Sequence, residues 1–215
     1  MDNNIDNWKK LHSADNYFEA HATGSYMVNG KLKDDPDWDI GIIEKHYAIP
    51  KEIISVVIGC GYGREAIGLC SRSLDVYGID VCDSVLSKAS KATRDKGFSN
   101  FHPVLAERWS ENIPVNVGLV YSMNVFQHIC KTQTTEYIVG MSKKLCDQGK
   151  MVLQFADLVN GADEPEAGRV YEPSIRWTAF EVWKLARQCG LYIDNIDCLI
   201  HQEHGLWYIA YLRKP

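Results

Sequence analysis

From residue 53 onward, apolar and polar positions alternate between two rhythms. Ile53–Ile58 is a continuous apolar run, the pattern of a strand buried on both faces. Arg64–Cys70 predicts a helix with Ala66, Ile67 and Cys70 on one side. Leu74–Ile79 predicts a second strand, ending at Asp80. Asp83 or Ser84 is expected to cap a helix that turns Val85, Leu86, Ala89 and Ala92 inward and Lys88, Lys91 and Arg94 toward water, with Gly97 as its stop. Phe101–Leu105, Val117–Met123 and Met151–Phe155 read as three more strands, with a helix from Thr132 to about Leu145 between the last two. Thr178 and Glu181 form a capping box that opens a helix ending at Gly190, whose Phe180 and Trp183 are expected in the core. Ile193–Leu199 and Leu206–Leu212 are separated by the short loop HQEHG, so they should pair as an antiparallel hairpin.

Repeated alternation of strand and helix implies an α/β fold, a Rossmann-like doubly wound sheet that is mostly parallel and carries an antiparallel hairpin at its C-terminal end. Residues 1–50 read differently, as an irregular arm ending in a helix over Asp37–Ala48. The expected organisation is therefore an arm and helix (1–50) covering a ligand site built by residues 51–215. Sheets of this kind bind ligands at the carboxyl ends of their strands.

Composition narrows the classes. The chain has 215 residues, 46% hydrophobic and 24% charged, enough for one α/β domain with a full core. Its net charge of −5 argues against a broad nucleic-acid-binding face. No apolar stretch has bilayer length, and the polar start MDNNIDNWKKLHSADN lacks the apolar centre of a signal peptide. Seven cysteines, an odd number with no C-x-x-C pair, fit reduced thiols in a cytoplasmic protein. The expected state is a monomer or homodimer without membrane or nucleic-acid partners.

Chemistry concentrates where the first strand ends. IISVVIGCGYGREAIGL places Gly59, Gly61 and Gly63 at the mouth of that strand, where a backbone must turn sharply or a ligand must lie close. A dinucleotide fingerprint would require glycine at position 64, which is Arg64, so the pattern is G-x-G-x-G without a full pyrophosphate cradle. Asp80, ending the second strand, offers a carboxylate to both hydroxyls of a ribose. A ribose without a demanded pyrophosphate points to an adenosyl compound. Cys60 lies in the loop with no neighbouring His or Lys to activate it, and reads as a small loop residue.

The ordered segments VVIGCGYGRE, VYGIDVCDSVLSKA, LAE, VGLVYSMNVFQHI, LCDQGKMVLQF and FEVWKLARQCGLYI resemble the motifs of class I S-adenosylmethionine-dependent methyltransferases. The resemblance implies S-adenosyl-L-methionine as cofactor. Gly59, Cys60, Gly61 and Gly63 would line its methionine part, Asp80 would hold the ribose, and Val81, Ala106 and Glu107 would meet the adenine. Met123 would lie near the sulfonium. Three departures stand out: Val57 and Gly118 occupy places where the family often has acids, and Gln148-Gly149-Lys150 replaces a usual Pro-Gly-Gly. Tyr26 or Ser25 in the arm could substitute for the missing hold on the amino-acid end.

His128 follows the fourth strand and is the first choice for a general base, against the alternative of a loop-fixing hydrogen bond. Asn124, Gln127 and Asp157 could orient an acceptor, as could Tyr26. The weakly patterned segment Leu158–Ile175 could reach over the ligand face with Arg169 and Tyr171. His201-x-x-His204 lacks a third ligand at fixed spacing, so no metal is expected. The function expected is methyl transfer to a small molecule, at a hydroxyl of a sugar or other metabolite. An amine or protein N-methyltransferase and a nicotinamide-dependent oxidoreductase stand as alternatives.

Overall fold

The computed structural model describes residues 3–12, 27–28, 31–32, 36–162, 175–201 and 205–215. The elements in chain order are α1 (Asn3–His12), β1 (Met27–Val28), β2 (Lys31–Leu32), α2 (Pro36–Glu44), β3 (Ile54–Ile58), α3 (Arg64–Cys70), β4 (Asp75–Asp80), α4 (Asp83–Asp95) and β5 (Phe101–Leu105). A short 3-10 turn (Ala106–Arg108) and α5 (Trp109–Asn112) follow, then β6 (Val117–Ser122), α6 (Lys131–Lys144), β7 (Leu145–Leu158), α7 (Ala179–Gln188), β8 (Tyr192–His201) and β9 (Gly205–Arg213). The seven strands β3 to β9 form a mixed sheet in the order β5-β4-β3-β6-β7-β9-β8, mostly parallel at its start and antiparallel at its C-terminal end. This is the Rossmann-like architecture that the alternation predicts.

The chain divides into two compact units, Asn4–Ile113 and Pro114–Pro215. In the first, β3 and β5 flank β4 in parallel, with Ile58 opposite Ile79 and Asp80 opposite Leu105. The apolar run of β3 is buried from Ser55 onward because both faces are covered. Helix α4 turns Val85, Leu86 and Ala89 into the core, as expected from their spacing. Its N-cap, however, is Cys82 in an extended conformation with no side-chain cap, so neither Asp83 nor Ser84 plays that role. Asp80 already accepts the Cys82 N–H and fixes the entry to the helix.

In the second unit, β6 and β7 run parallel, and β7–β9 and β9–β8 run antiparallel. The hairpin of β8 and β9 matches expectation. Strand β7 begins earlier than the apolar run alone marks. Val117 pairs with Leu145 and Leu119 with Lys150, so the exposed residues Asp147 and Gln148 bulge out between the two pairings. The capping box forms as predicted, with Thr178 accepting from the Glu181 N–H and Glu181 accepting from the Thr178 N–H. Helix α7 buries Val182, Leu185 and Ala186. Phe180 and Trp183 face outward instead of into the core, 68% and 48% exposed and stacked on each other at 5.8 Å.

Candidate functional site

The glycine loop of the first unit is set by backbone bonds. Cys60 N–H donates to Ile79 O (2.9 Å), and Gly63 N–H donates to Cys60 O (3.0 Å). Gly59, Gly61 and Gly63 all have positive φ, at 70°, 51° and 89°. The last two glycines do different work. A Cβ on Gly63 would stand 3.1 Å from Ala89 Cβ and 3.2 Å from Ala89 Cα, so this glycine lets α4 approach the loop. A Cβ on Gly61 would meet nothing within 4 Å, so the space ahead of it is open.

Asp80 closes the loop from the neighbouring strand. Its Oδ2 accepts the Gly61 N–H at 3.1 Å and its Oδ1 the Cys82 N–H at 3.2 Å. It is 8% exposed, and burial pushes its pKa up to about 6, against the downward pull of N–H groups from Gly61, Cys82 and Val81. A carboxylate has about four lone-pair sites. The bonds from Gly61 and Cys82 therefore leave acceptor capacity for a ligand. The register that sets Asp80 opposite Leu105 brings Ala106 and the exposed Glu107 into the next turn of chain, and Val81 directly follows Asp80. The Cys60 thiol is buried, and burial followed by the charges of Asp80 and Glu65 holds its pKa well above the ordinary value. This is an inert thiol, in line with its reading as a loop residue.

Two contacts of this loop escape sequence reading. Tyr62 OH lies 3.0 Å from His12 Nδ1 of α1, the two rings meet edge to face at 5.6 Å, and Trp8 stacks on His12 at 5.5 Å. Burial, then the charges of Asp80 and Cys82, raises the Tyr62 pKa to about 12, so its hydroxyl keeps its proton. Arg64, which departs from the dinucleotide pattern, donates from Nε to the fully buried Asp39 of α2 at 3.0 Å and also pairs with Glu65. Each contact spans a long stretch of chain, which leaves no local signal.

In the second unit, Asn124, Gln127 and His128 lie in the segment after β6, and Asp157 lies near the end of β7. Met123 is buried and Asn124 turns the chain with φ 59°. Its N–H donates to Gln154 Oε1 at 2.8 Å, while Gln154 Nε2 donates to Phe155 O at 2.9 Å. Gln154 thus ties the turn after β6 to β7, a contact absent from the sequence expectations. A polar residue inside the apolar run VLQFA is the signal that marks it, since a buried amide must find partners. Gln127 and His128 are both buried, with Gln127 Nε2 3.3 Å from His128 Nε2. The Gln127 carbonyl accepts the Ile175 N–H at 3.0 Å.

Ile175 begins a strap that leads into α7. Trp177 N–H donates to Ala156 O at 2.8 Å, and Tyr208 OH donates to Trp177 O at 2.9 Å. Lys131 Nζ sits 5.3 Å from the centre of the Trp177 ring. Two buried polar atoms here, Gln127 Oε1 and Trp177 Nε1, have no hydrogen-bond partner among the described residues. Asp157 Oδ1 lies 3.5 Å from Arg176 Nε at the rim. Tyr26, Arg169 and Tyr171 lie outside the described residues, as do Ser25 and most of the segment expected to reach over the ligand face.

Residues 56–153 match a family model described as a methyltransferase domain. No curated protein sequence matches the chain at a significant level. Among solved structures, the magnesium protoporphyrin IX methyltransferase of Synechocystis with bound SAM has 14% identity and a TM-score of 0.70, covering 100% of this chain and 99% of its own. The phosphoethanolamine N-methyltransferase 2 of Haemonchus contortus, in complex with S-adenosyl-L-methionine, has 13% identity and a TM-score of 0.77, covering 100% of this chain and 60% of its own. A [4+2]-cyclase, SpnF, has 16% identity and a TM-score of 0.65 over 84% of this chain and 81% of its own. At these identities the likenesses establish the fold.

Proposed function

We propose that this chain, whose residues 56–153 match a methyltransferase-domain model, is a class I S-adenosylmethionine-dependent methyltransferase that methylates a hydroxyl of a small molecule with S-adenosyl-L-methionine as donor. The observation that carries the cofactor reading is the pairing of Asp80 with Gly61. The carboxylate is braced by two backbone N–H groups and keeps acceptor capacity, beside a glycine with open space before it. That combination suits a ribose whose two hydroxyls both donate.

When bound, the cofactor supplies an electrophilic methyl on a sulfonium, and the chain supplies holding and alignment. Alignment of this kind lowers a barrier by about 7–11 kcal/mol. Asp80 would hold the ribose and Glu107 would accept from the adenine amino group, with Val81 and Ala106 to pack on the ring. Gly59, Cys60, Gly61 and Gly63 would present backbone to the methionine part, and Met123 would serve the sulfonium end. Asn124, Gln127, Asp157, Tyr26, Arg169 and Tyr171 orient the acceptor.

As the C–O bond formed and the methyl C–S bond of the sulfonium broke, leaving a neutral thioether, the acceptor hydroxyl would lose its proton, and His128 would take it. The Gln127 side-chain amide lies 3.3 Å from His128 Nε2, and in the tautomer that leaves Nε2 without a proton this nitrogen can take one once the acceptor hydroxyl displaces the amide. The seven free cysteines support a reducing, cytoplasmic setting. Among the described residues no helix is long and apolar enough to cross a membrane.

The test is transfer of labelled methyl from the cofactor to panels of hydroxyl-bearing metabolites and of amines, with the product identified by NMR. An O-methyl product is expected. Exclusive N-methyl products would replace the hydroxyl reading with the amine one.

A further inference from the structure

Helix α4 repeats a polar stripe that the cofactor reading does not use. Asp83, Ser87, Ser90 and Arg94 recur at helical spacing and therefore share one face. That face lines a cavity of about 460 Å³ whose other walls come from Pro103 and Leu105 of β5, Arg108 of the 3-10 turn and Asn112 of α5. Leu86 and Leu105 give it an apolar surface. All of these residues belong to the first unit.

The two arginines decide its chemistry. Neither Arg94 nor Arg108 makes a side-chain hydrogen bond or ion pair among the described residues, so two exposed guanidinium groups face one open cavity with only water to pair them. Arg94 alone would be explained as a cation in the last turn of a helix, favoured by the helix dipole. Arg108 lies on a different element and has no such account. Asp83 is the one acid in the lining. It stands three turns from Arg94, about 16 Å along the helix axis. The cavity is thus polarised, with positive charge toward Arg94 and a carboxylate at the opposite end of the stripe.

We infer that this cavity binds a phosphate group, held by Arg94 and Arg108 together with the Ser87 hydroxyl and the Asn112 amide. A phosphate dianion balances two guanidinium charges and has enough oxygens for both forks, whereas a carboxylate has half the charge and only two oxygens. The ligand is either inorganic phosphate or a phosphomonoester whose organic part lies over Leu86 and Leu105. Ser90 is a weaker contributor, because its hydroxyl already donates to Leu86 O at 2.8 Å. Leu105 lies opposite Asp80 and Arg108 follows Glu107, but neither Asp80 nor Gly61 lines this site, and its ligand does not depend on what that pair binds.

The experiment is calorimetric titration of the full chain with inorganic phosphate, with glycerol 3-phosphate and with acetate, repeated on Arg94→Gln and Arg108→Gln, with thermal melting to confirm that each variant folds. Saturable binding of phosphate or of the phosphomonoester is expected with Kd of about 1 mM or tighter. Each variant should lose about tenfold in affinity, and acetate should bind far more weakly. Tighter binding of glycerol 3-phosphate than of phosphate would identify the monoester as the ligand, and the reverse order the free anion. Absence of saturable binding by both, or affinity unchanged in both variants, overturns the inference. Adenosylhomocysteine, titrated in parallel, should bind all three proteins alike. Its failure to bind the parent chain would sink the cofactor reading while leaving the phosphate result standing.

Discussion

Asp80 and Gly61 are joined by a 3.1 Å hydrogen bond from the loop N–H to the strand-end carboxylate. The residue proposed to grip the ribose is therefore also the residue that holds the glycine loop in shape. Ligand binding and loop geometry are coupled through one side chain.

Replacing Asp80 with alanine removes both functions. Two charge-assisted hydrogen bonds to ribose are each worth about 1.5–3 kcal/mol, so adenosylhomocysteine affinity should fall by about 100-fold or more in titration calorimetry. Hydrogen exchange at the Gly61 amide should quicken in the unliganded variant. Unchanged affinity would refute the ribose assignment.

The raised pKa of Asp80 predicts a pH dependence. Burial moves the carboxyl from 3.8 to about 6, and ribose hydroxyls need the ionised form as acceptor. Affinity for adenosylhomocysteine should decline below pH 6, by at most about tenfold per unit. Because the folded pKa lies above the unfolded one, the contribution of Asp80 to the stability of the unliganded chain is full below 3.8 and is lost as pH rises through about 6. Binding should accordingly release protons near pH 6, visible as a buffer-dependent binding enthalpy. Asp80→Asn should bind weakly with no such dependence.

The two glycines should separate on substitution. Gly63→Ala meets the Ala89 backbone at 3.2 Å in a left-handed conformation, and should lose about 1–3 kcal/mol of stability by chemical denaturation. Gly61→Ala meets open space, and should lose only the left-handed penalty of about 1–2 kcal/mol. Its adenosylhomocysteine affinity should nevertheless fall more than that of the Gly63 variant. Equal affinities in the two variants would mean that nothing approaches Gly61.

His128→Ala tests the base. Loss of a positioned base lowers turnover by about 10²–10⁴-fold. With an acceptor in hand, kcat should fall within this range while adenosylhomocysteine affinity stays within about twofold. The opposite pattern would make His128 a structural residue of the turn that already bonds its N–H to Val125 O.

Much of the first unit was legible because its signals are local. The predicted spans Arg64–Cys70 and Phe101–Leu105 coincide with α3 and β5, since each is bounded by a glycine, a cap or a change of period within a few residues. Phe180 and Trp183 depart from the expected core placement because aromatic character alone carries no helical phase. Val182, Leu185 and Ala186 already complete the buried stripe of α7, and the two aromatics fall on the other side of the helix. The ties from Asn124 to Gln154 and from Arg64 to Asp39 join residues 30 and 25 positions apart, so only the assembled sheet and helices reveal them.

The clasp between His12 and Tyr62 has a practical corollary for handling the protein. A fusion partner or purification handle joined ahead of Asn3 would exert leverage on α1, and through Tyr62 on the loop between Gly61 and Gly63. Handles at the other terminus avoid that lever, and affinities measured with and without an amino-terminal extension would report how strongly it acts.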